Sequence, residues 1–547
     1  MPQYGLGVDY GTNSVRALLV DLSDGTEVAT AVFEYPSGEA GILLDERDPN
    51  LARQNPADYI AGFTATVQSV LSQSGIDPAD IAGIGIDTTG STPIPVDESG
   101  LPLAMRPEFA DDLAAHVWLW KDHTSYAEAA EITEKAAGYP YLAKCGGTYS
   151  SEWFWSKILH CARTAPETFT AAYSWVECAD WIAAYLTGNT NPHELKRSVC
   201  AAGHKAMYSG DWGGLPSKEF LATLDPRLAD LRDRLYDLAV PSNVKAGGIS
   251  AAVAAATGLQ EGTPVAVGAF DAHFGAVGAG IRTGTLVKIM GTSTCDCMVH
   301  PLDQPLADVP GLCGIVNGSV LPGMIGLEAG QSAVGDLFNW FVRFSGQTHE
   351  ALSAAALELK PGESGLLALD WNNGNRTILV DPLLSGLILG QTLHTDPAEV
   401  YRALIEATAF GALTIIRRLE EYGVEVREVV NCGGIAEKSP LTMQIYADVC
   451  NRPMKISRSA QTCALGSAIF GAVVGGVYPD AETAQACMTG VKDVVYYPDP
   501  EAAAVYERLY KLYMTLHDSF SKTGRDGWLS HVMKDLITIR NEVRGTL

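Results

Sequence analysis

Gly7-Val8-Asp9-Tyr10-Gly11-Thr12-Asn13-Ser14-Val15-Arg16 and Lys288-Ile289-Met290-Gly291-Thr292-Ser293-Thr294-Cys295 write one pattern twice, far apart in the same chain. Each is an apolar strand, a Gly-Thr turn rich in small hydroxyl residues, and a second apolar strand. Such a turn leaves backbone N–H groups and a hydroxyl open with no bulky side chain above them, which suits a phosphate. Only the first copy sets an acid, Asp9, just before its turn. The pattern predicts a duplicated fold closing on a nucleotide–metal complex.

What surrounds the two copies repeats as well. Strand-like runs at 6–9, 16–21 and 28–35 precede Asn55-Pro56, which reads as an N-cap and first-turn proline for a helix to Ser74. A short apolar run at 81–87 then reads as a fully buried strand. After residue 285 the order recurs, with strands at 285–291 and 295–300, a long helix at 397–422 and a strand at 426–431. Helical and irregular insertions at 100–260 and 300–395 are where specificity could be built. A buried strand at 264–269 leads to Phe270-Asp271-Ala272-His273 and a short helix, and Gly278-Ala279-Gly280 reads as a hinge. From Pro500 a long helix with a polar tail is expected.

Composition narrows the function. At 547 residues the chain is too long for one core, so two domains of about 250 residues are expected. A net charge of −26 argues against a nucleic-acid backbone or an anionic membrane as partner. Eleven cysteines without a CxxC pair predict reduced, mostly buried thiols. Cys295-Asp296-Cys297 falls in a strand, which sets both thiols on one face and speaks against thiol or metal chemistry there. The amino-terminal residues show no signal-peptide pattern, so a cytoplasmic protein is expected.

A third element, Val430-Asn431-Cys432-Gly433-Gly434-Ile435-Ala436, follows a buried strand and precedes a helix over Pro440–Cys450. Paired glycines there would let a flat ring or a phosphate lie against the backbone. Asp271 reads equally as the N-cap of the helix that follows it or as a carboxylate pointing into a cleft.

These elements, in this order, resemble the FGGY carbohydrate kinase family, within the larger group that shares the actin, hexokinase and heat-shock ATPase fold. The resemblance runs from Gly5 to about Val477. Four stretches are similar to members that act on L-ribulose: Trp120-Lys121-Asp122-His123-Thr124, Cys145-Gly146-Gly147-Thr148-Tyr149-Ser150-Ser151-Glu152-Trp153-Phe154-Trp155, Cys200-Ala201-Ala202-Gly203-His204-Lys205 and Gly326-Leu327-Glu328-Ala329-Gly330-Gln331-Ser332.

The resemblance implies an α/β fold of two duplicated actin-like, ribonuclease-H-like ATPase domains with a cleft between them, at 1–278 and 279–547. It implies ATP and Mg²⁺ as cofactors and a small sugar as substrate, with no nucleic acid or membrane partner and a homodimer left open. Asp9 would hold Mg²⁺. Gly11, Thr12, Asn13, Ser14 and Arg16 would meet the phosphates from one side, and Gly291, Thr292 and Gly335 from the other. Gly433, Gly434 and Lys438 would line the adenosine pocket, although many relatives carry Asn where Lys438 stands. Asp271 would be the catalytic base.

Ser91, Trp120, Glu152, Lys205 and Glu328 would bind the sugar together with Asp271. Glycerol kinases carry an Arg-Glu pair where this chain has Gly90 and Ser91, which speaks against glycerol. The implied reaction is phosphorylation of a pentulose, L-ribulose to its 5-phosphate, as in L-arabinose catabolism. D-ribulose or another ketose is the alternative within the family, and a non-catalytic ATP-dependent switch is the alternative outside it. His123 and His204 are expected to be structural.

Overall fold

The computed structural model describes residues 3–521 and 528–544. In the first half β1 (Tyr4–Tyr10), β2 (Ser14–Asp21) and β3 (Glu27–Glu34) form an antiparallel meander, and helix α1 (Pro56–Ser74) crosses back over it. The start of α1 follows from Asn55, whose side chain accepts the Ala57 N–H, and from Pro56 in the first turn; Gly75 ends it with a positive φ. All eight residues of β4 (Ile81–Thr88) are buried. It is covered on both faces, as an unbroken apolar run requires. An aromatic-rich insertion follows, with α2 (Phe154–Thr164), α3 (Cys178–Thr187) and α4 (Val199–Lys205). Its own core is built on Trp118, Trp155 and Trp175. β5 (Lys245–Gly248), β6 (Pro264–Ala266), β7 (Ala269–Phe270) and α5 (Asp271–Gly278) complete this half.

In the second half β8 (Thr285–Met290), β9 (Thr294–Pro301), β10 (Gly314–Asn317) and β11 (Met324–Ala329) precede α6 (Gly335–Ser345) and the long α7 (Pro397–Glu421). Asp396 and Glu399 close a reciprocal capping box at the head of α7. Then come β12 (Glu428–Cys432), α8 (Gly434–Lys438), α9 (Pro440–Cys450), β13 (Met454–Ser457), α10 (Thr462–Val474), β14 (Val491–Tyr496), α11 (Pro500–Phe520) and α12 (Val532–Arg544).

The two sheets share one topology. The first runs β5-β6-β4-β1-β2-β3 with β7 also on β4, and the second runs β10-β11-β9-β8-β12-β13-β14. In both, the hairpin strands pair antiparallel, a third strand joins antiparallel, and two further strands pair parallel on the other side. The duplicated α/β fold expected from the sequence is therefore present.

Three details differ from the sequence reading. The third strand of the second copy, β11, lies inside the stretch assigned to an insertion. The run at 264–269 is two strands, with Gly268 between them; a Cβ there would sit 2.9 Å from the Ala179 carbonyl oxygen. The expected polar tail contains a further helix, α12.

Helix α10 comes from the second half, yet it lies on the first sheet. A Cβ on Gly7 would fall 1.7 Å from the Ala464 carbonyl oxygen, and one on Gly85 would fall 1.9 Å from that of Ser467. Glycines in β1 and β4 thus make the groove that receives α10. α5 packs against α10 with equal closeness, Phe274 stacking on Phe470 at 4.7 Å. These two helices bring Leu18, Val20, Val287 and Val430 into one core shared by both halves. Among the described residues no helix is long and apolar enough to cross a membrane.

Candidate functional site

The site is best built from its two hairpins. In the first, Tyr10 pairs with Val15, the Gly11 N–H donates to the Ser14 carbonyl at 2.9 Å, and residues 11–14 make the turn. Trp120 Nε1 donates to Thr12 Oγ1 at 3.0 Å, and Gln54 Nε2 donates to the Thr12 carbonyl at 2.8 Å. Asn13, exposed, donates to the Ala40 carbonyl.

In the second hairpin Met290 pairs with Thr294, so residues 291–293 make a turn one residue shorter. The head of α6 sits directly on it. Gly335 N–H donates to the Gly291 carbonyl at 3.1 Å, and the N–H groups of Val334 and Asp336 donate to the Thr292 carbonyl. Gly433 closes the other side at φ 95°, where a Cβ would lie 2.4 Å from the Met290 carbonyl oxygen. The structure thus gathers Gly291, Thr292, Gly335, Gly433 and Gly434, while Lys438 lies exposed at the far end of α8.

Three carboxyls stand beside the first hairpin. Strand register sets Asp9 next to Arg16 on β2 and next to Asp87 on β4. Asp87 is fully buried; Ser467 Oγ on α10 donates to its Oδ2 at 2.6 Å, and its Oδ1 has no donor among the described residues. The ligand atoms of Asp9, Asp87 and Cys463 lie within 4.8 Å of one another. Burial, then the Asp9 charge, pushes the Asp87 carboxyl well up; burial also raises Asp9, against the pull of Asp87 and Arg16. Paired hard oxygens with one buried acceptor free fit a divalent cation such as Mg²⁺.

Asp271, half-buried, opens α5. Its Oδ1 accepts from the adjacent Ala272 N–H, and Phe270 holds the N-cap position, so Asp271 is not the helix cap. Burial, then the Asp9 charge, pushes its carboxyl up to about 7.

The sugar-side candidates fall into three contacts. Ser91 is fully buried, and its hydroxyl donates to Glu177, which also accepts the Thr92 N–H at 2.8 Å. The Ser91 side chain is thus turned inward to a buried carboxylate. Lys157 Nζ, buried on α2, donates to the carbonyls of Ser91 and Leu119 at 2.8 Å and of Trp120 at 3.4 Å. Burial brings its amine down to about 7. Lys157 therefore ties Ser91 to Trp120, and Trp120 to the Thr12 turn.

Glu152 is half-buried, with Oε1 at 3.9 Å from both His123 and Arg376. Lys205 and Glu328 pair with each other at 2.7 Å, one from α4 in the first half and one from β11 in the second. The Trp153 ring lies 5.2 Å from the Lys205 ammonium. Glu328 Oε2 also lies 3.2 Å from His204 and 3.3 Å from His273. Burial works against the Glu328 charge, but Lys205 and the two histidines hold its carboxyl well below the usual range. His204, expected to be structural, therefore stands against a sugar-side candidate.

Asp87, Lys157, Glu177, Arg376 and His273 were missed from the sequence. Only Asp87 carried a signal, an acid ending an apolar strand beside the one that carries Asp9.

Residues 4–278 match the N-terminal domain of the FGGY family of carbohydrate kinases, and residues 286–474 match its C-terminal domain. The chain is 42% identical to the ribulokinase of Halalkalibacterium halodurans over 98% of both chains. It is also 42% identical to the ribulokinase of Mycolicibacterium smegmatis, over 96% of this chain and 95% of that one. Among solved structures, a xylulose kinase from Rhodospirillum rubrum aligns at a TM-score of 0.78 and 25% identity, covering 94% of this chain and 99% of that one. Plasmodium falciparum glycerol kinase with ADP shares the fold at a TM-score of 0.75 and 16% identity, covering 94% and 97%.

Proposed function

The chain belongs to the FGGY family of carbohydrate kinases, and from that premise we propose that it transfers the γ-phosphate of ATP to L-ribulose, giving L-ribulose 5-phosphate in L-arabinose catabolism. Support comes from full-length identity near 42% to ribulokinases, together with a carboxyl at the head of α5 whose pKa lies near neutrality. A base works best with a pKa close to the operating pH, and typically contributes 10²–10⁴-fold.

Phosphoryl transfer asks the protein mainly to position its reactants and neutralise charge. The N–H groups and hydroxyls of residues 11–14, with Arg16, would receive the terminal phosphates from one side. Gly291 and Thr292, backed by Gly335, would receive them from the other, and Gly433, Gly434 and Lys438 would border the adenosine. When bound at Asp9, Mg²⁺ would supply neutralisation of phosphate charge. Trp120, Glu152, Lys205 and Glu328 would orient the sugar, with backbone contributed at Ser91. Asp271 would accept the proton of the attacking hydroxyl. The Lys205–Glu328 pair spans both halves, so a sugar bound between them would draw the halves together and exclude water.

ADP release measured over a panel of pentuloses and polyols, with mass spectrometry of the products, tests the substrate. Turnover on D-ribulose, D-xylulose or glycerol far above that on L-ribulose would sink the assignment. ATP hydrolysis with no sugar phosphate would favour a non-catalytic switch.

For location we propose the cytoplasm, supported by eleven free cysteines. For assembly we propose a homodimer. Leu536, Ile539 and Val543 line one exposed face of α12 at spacings of three and four, a seam that a second copy could cover. Sedimentation at micromolar concentration tests it, and a monomer there would end the proposal.

A further inference from the structure

Asp87 is the penultimate residue of β4, and the parallel register sets it side by side with Asp9 on β1 at the same end of the sheet. Its two oxygens are treated unequally. Ser467 donates to Oδ2, whereas Oδ1, inside a fully buried side chain beside the Asp9 carboxyl, has no donor among the described residues. A buried carboxylate oxygen without a donor is costly unless a cation or a proton meets it.

The fold does not require an acid there. In the second sheet the residues at the same two register positions are Ile289 and Cys432, also side by side on parallel strands. Ile289 and Cys432 pack apolar into the shared core. The acid pair has therefore been added on one side only, next to the hairpin with the longer turn.

We propose that Asp87 is a second carboxylate of the divalent-cation site at Asp9, presenting Oδ1 to the cation and its waters. Magnesium is commonly held by one or two carboxylates while it keeps several waters, which matches a pair of adjacent acids better than a cage of ligands. Ser467 would act as a positioning residue, holding Oδ2 from α10 so that Oδ1 keeps its direction. Because α10 belongs to the second half, the site at the end of the first sheet is completed only when both halves are assembled. This inference rests on the reading of Asp9 as the metal residue.

Mn²⁺ serves as the probe, with its free concentration read by electron paramagnetic resonance on the full-length protein in the presence and absence of ADP. Wild type, Asp9→Asn, Asp87→Asn, Asp87→Ser and Ser467→Ala are compared after circular dichroism has established that each is folded. Asp87→Asn keeps the shape and an acceptor for Ser467 while removing the charge; Asp87→Ser covers the case in which the amide fails to fold. Mn²⁺ binding at least tenfold weaker in either Asp87 variant, with a smaller loss in Ser467→Ala, is expected. Wild-type affinity in a folded Asp87 variant, with affinity lost in Asp9→Asn, would mean that a shared proton joins the pair and would overturn the proposal. Wild-type affinity in both the Asp9 and the Asp87 variants would overturn this inference and the Asp9 reading together.

Discussion

The two hairpins share a backbone plan and differ in what they carry. The first has a four-residue turn, an acid at Asp9, and Arg16 and Asp87 as its register neighbours. The second has a three-residue turn, with Ile289 where Asp9 stands and Cys295 and Cys432 as the neighbours. The second sheet does hold a buried charge, but one residue along and therefore on its other face. Lys288 donates to both oxygens of Asp296 at 2.8 and 2.7 Å and to the Gln331 side-chain oxygen Oε1 at 3.0 Å. The matching register pair in the first sheet is Val8 and Ala17. Because side chains alternate across a strand, a shift of one residue separates a charge that faces the site from one that braces the core. The two Gly-Thr turns share one plan, and single register positions make the two ends unequal.

That inequality is open to direct attack. The largest effect is expected at Asp271. Asp271→Asn should lower turnover about 10²–10⁴-fold while leaving ATP binding intact, as steady-state rates and nucleotide titration would show. In the wild type kcat/KM should fall as pH drops below about 7, because the base must be ionised to accept a proton. The stability sign is opposite to that of a salt-bridged acid. A carboxyl raised from 3.8 to about 7 leaves the folded state holding more protons than the unfolded one in that interval, so stability declines as pH rises through it. Asp271→Asn should therefore be more stable than wild type at pH 8 and lose that advantage by pH 4, read by thermal melts across pH.

Next comes the copying of the acid into the second hairpin. Ile289→Asp would set an unpaired charge against an apolar core, costing about 3 kcal/mol in urea unfolding without creating a Mn²⁺ site. A gain of cation binding there would show that hairpin geometry alone, without Asp87, makes the site. Gly335→Ala is expected to be smaller, about 1–3 kcal/mol, because a Cβ 2.5 Å from the Gly291 carbonyl oxygen must displace α6 from the turn. ATP affinity should weaken with it. The smallest effect is expected at Trp120→Phe, which loses only the bond to Thr12, about 1 kcal/mol, and should raise KM for both substrates.

Much of the scaffold was legible because its signals are local. Asn55-Pro56 starts α1, Pro397 starts α7, and Pro440–Cys450 is a helix as read. β11 escaped although it closes a hairpin with β10 across residues 318–323, because both short strands fall within a stretch read whole as an insertion, and its other partner, β9, lies across a long connection. Lys157 and Glu177 escaped for a different reason. Each reads as an ordinary charge on an amphipathic element, and only burial against Ser91 and Trp120 makes it consequential. Glu328 was named from resemblance, but its ring of Lys205, His204 and His273 is assembled from α4, α5 and β11, which share no sequence neighbourhood.

The sequence by itself determined the twofold repeat, the Gly-Thr turns, the Asp9 and Asp271 acids beside them and the family, because each is written within a few consecutive residues. Tertiary structure alone decided that α10 from the second half lies on the first sheet. Glycines at 5, 7, 83 and 85 leave room for it, but nothing local says which helix will come. It also decided that Asp87 would stand buried beside Asp9 with Ser467 on one of its oxygens, and that Lys205 would meet Glu328 across the two halves. The physical reason is that turns and caps depend on dihedral preferences of adjacent residues, whereas a buried charge acquires its meaning from atoms that arrive from distant parts of the chain.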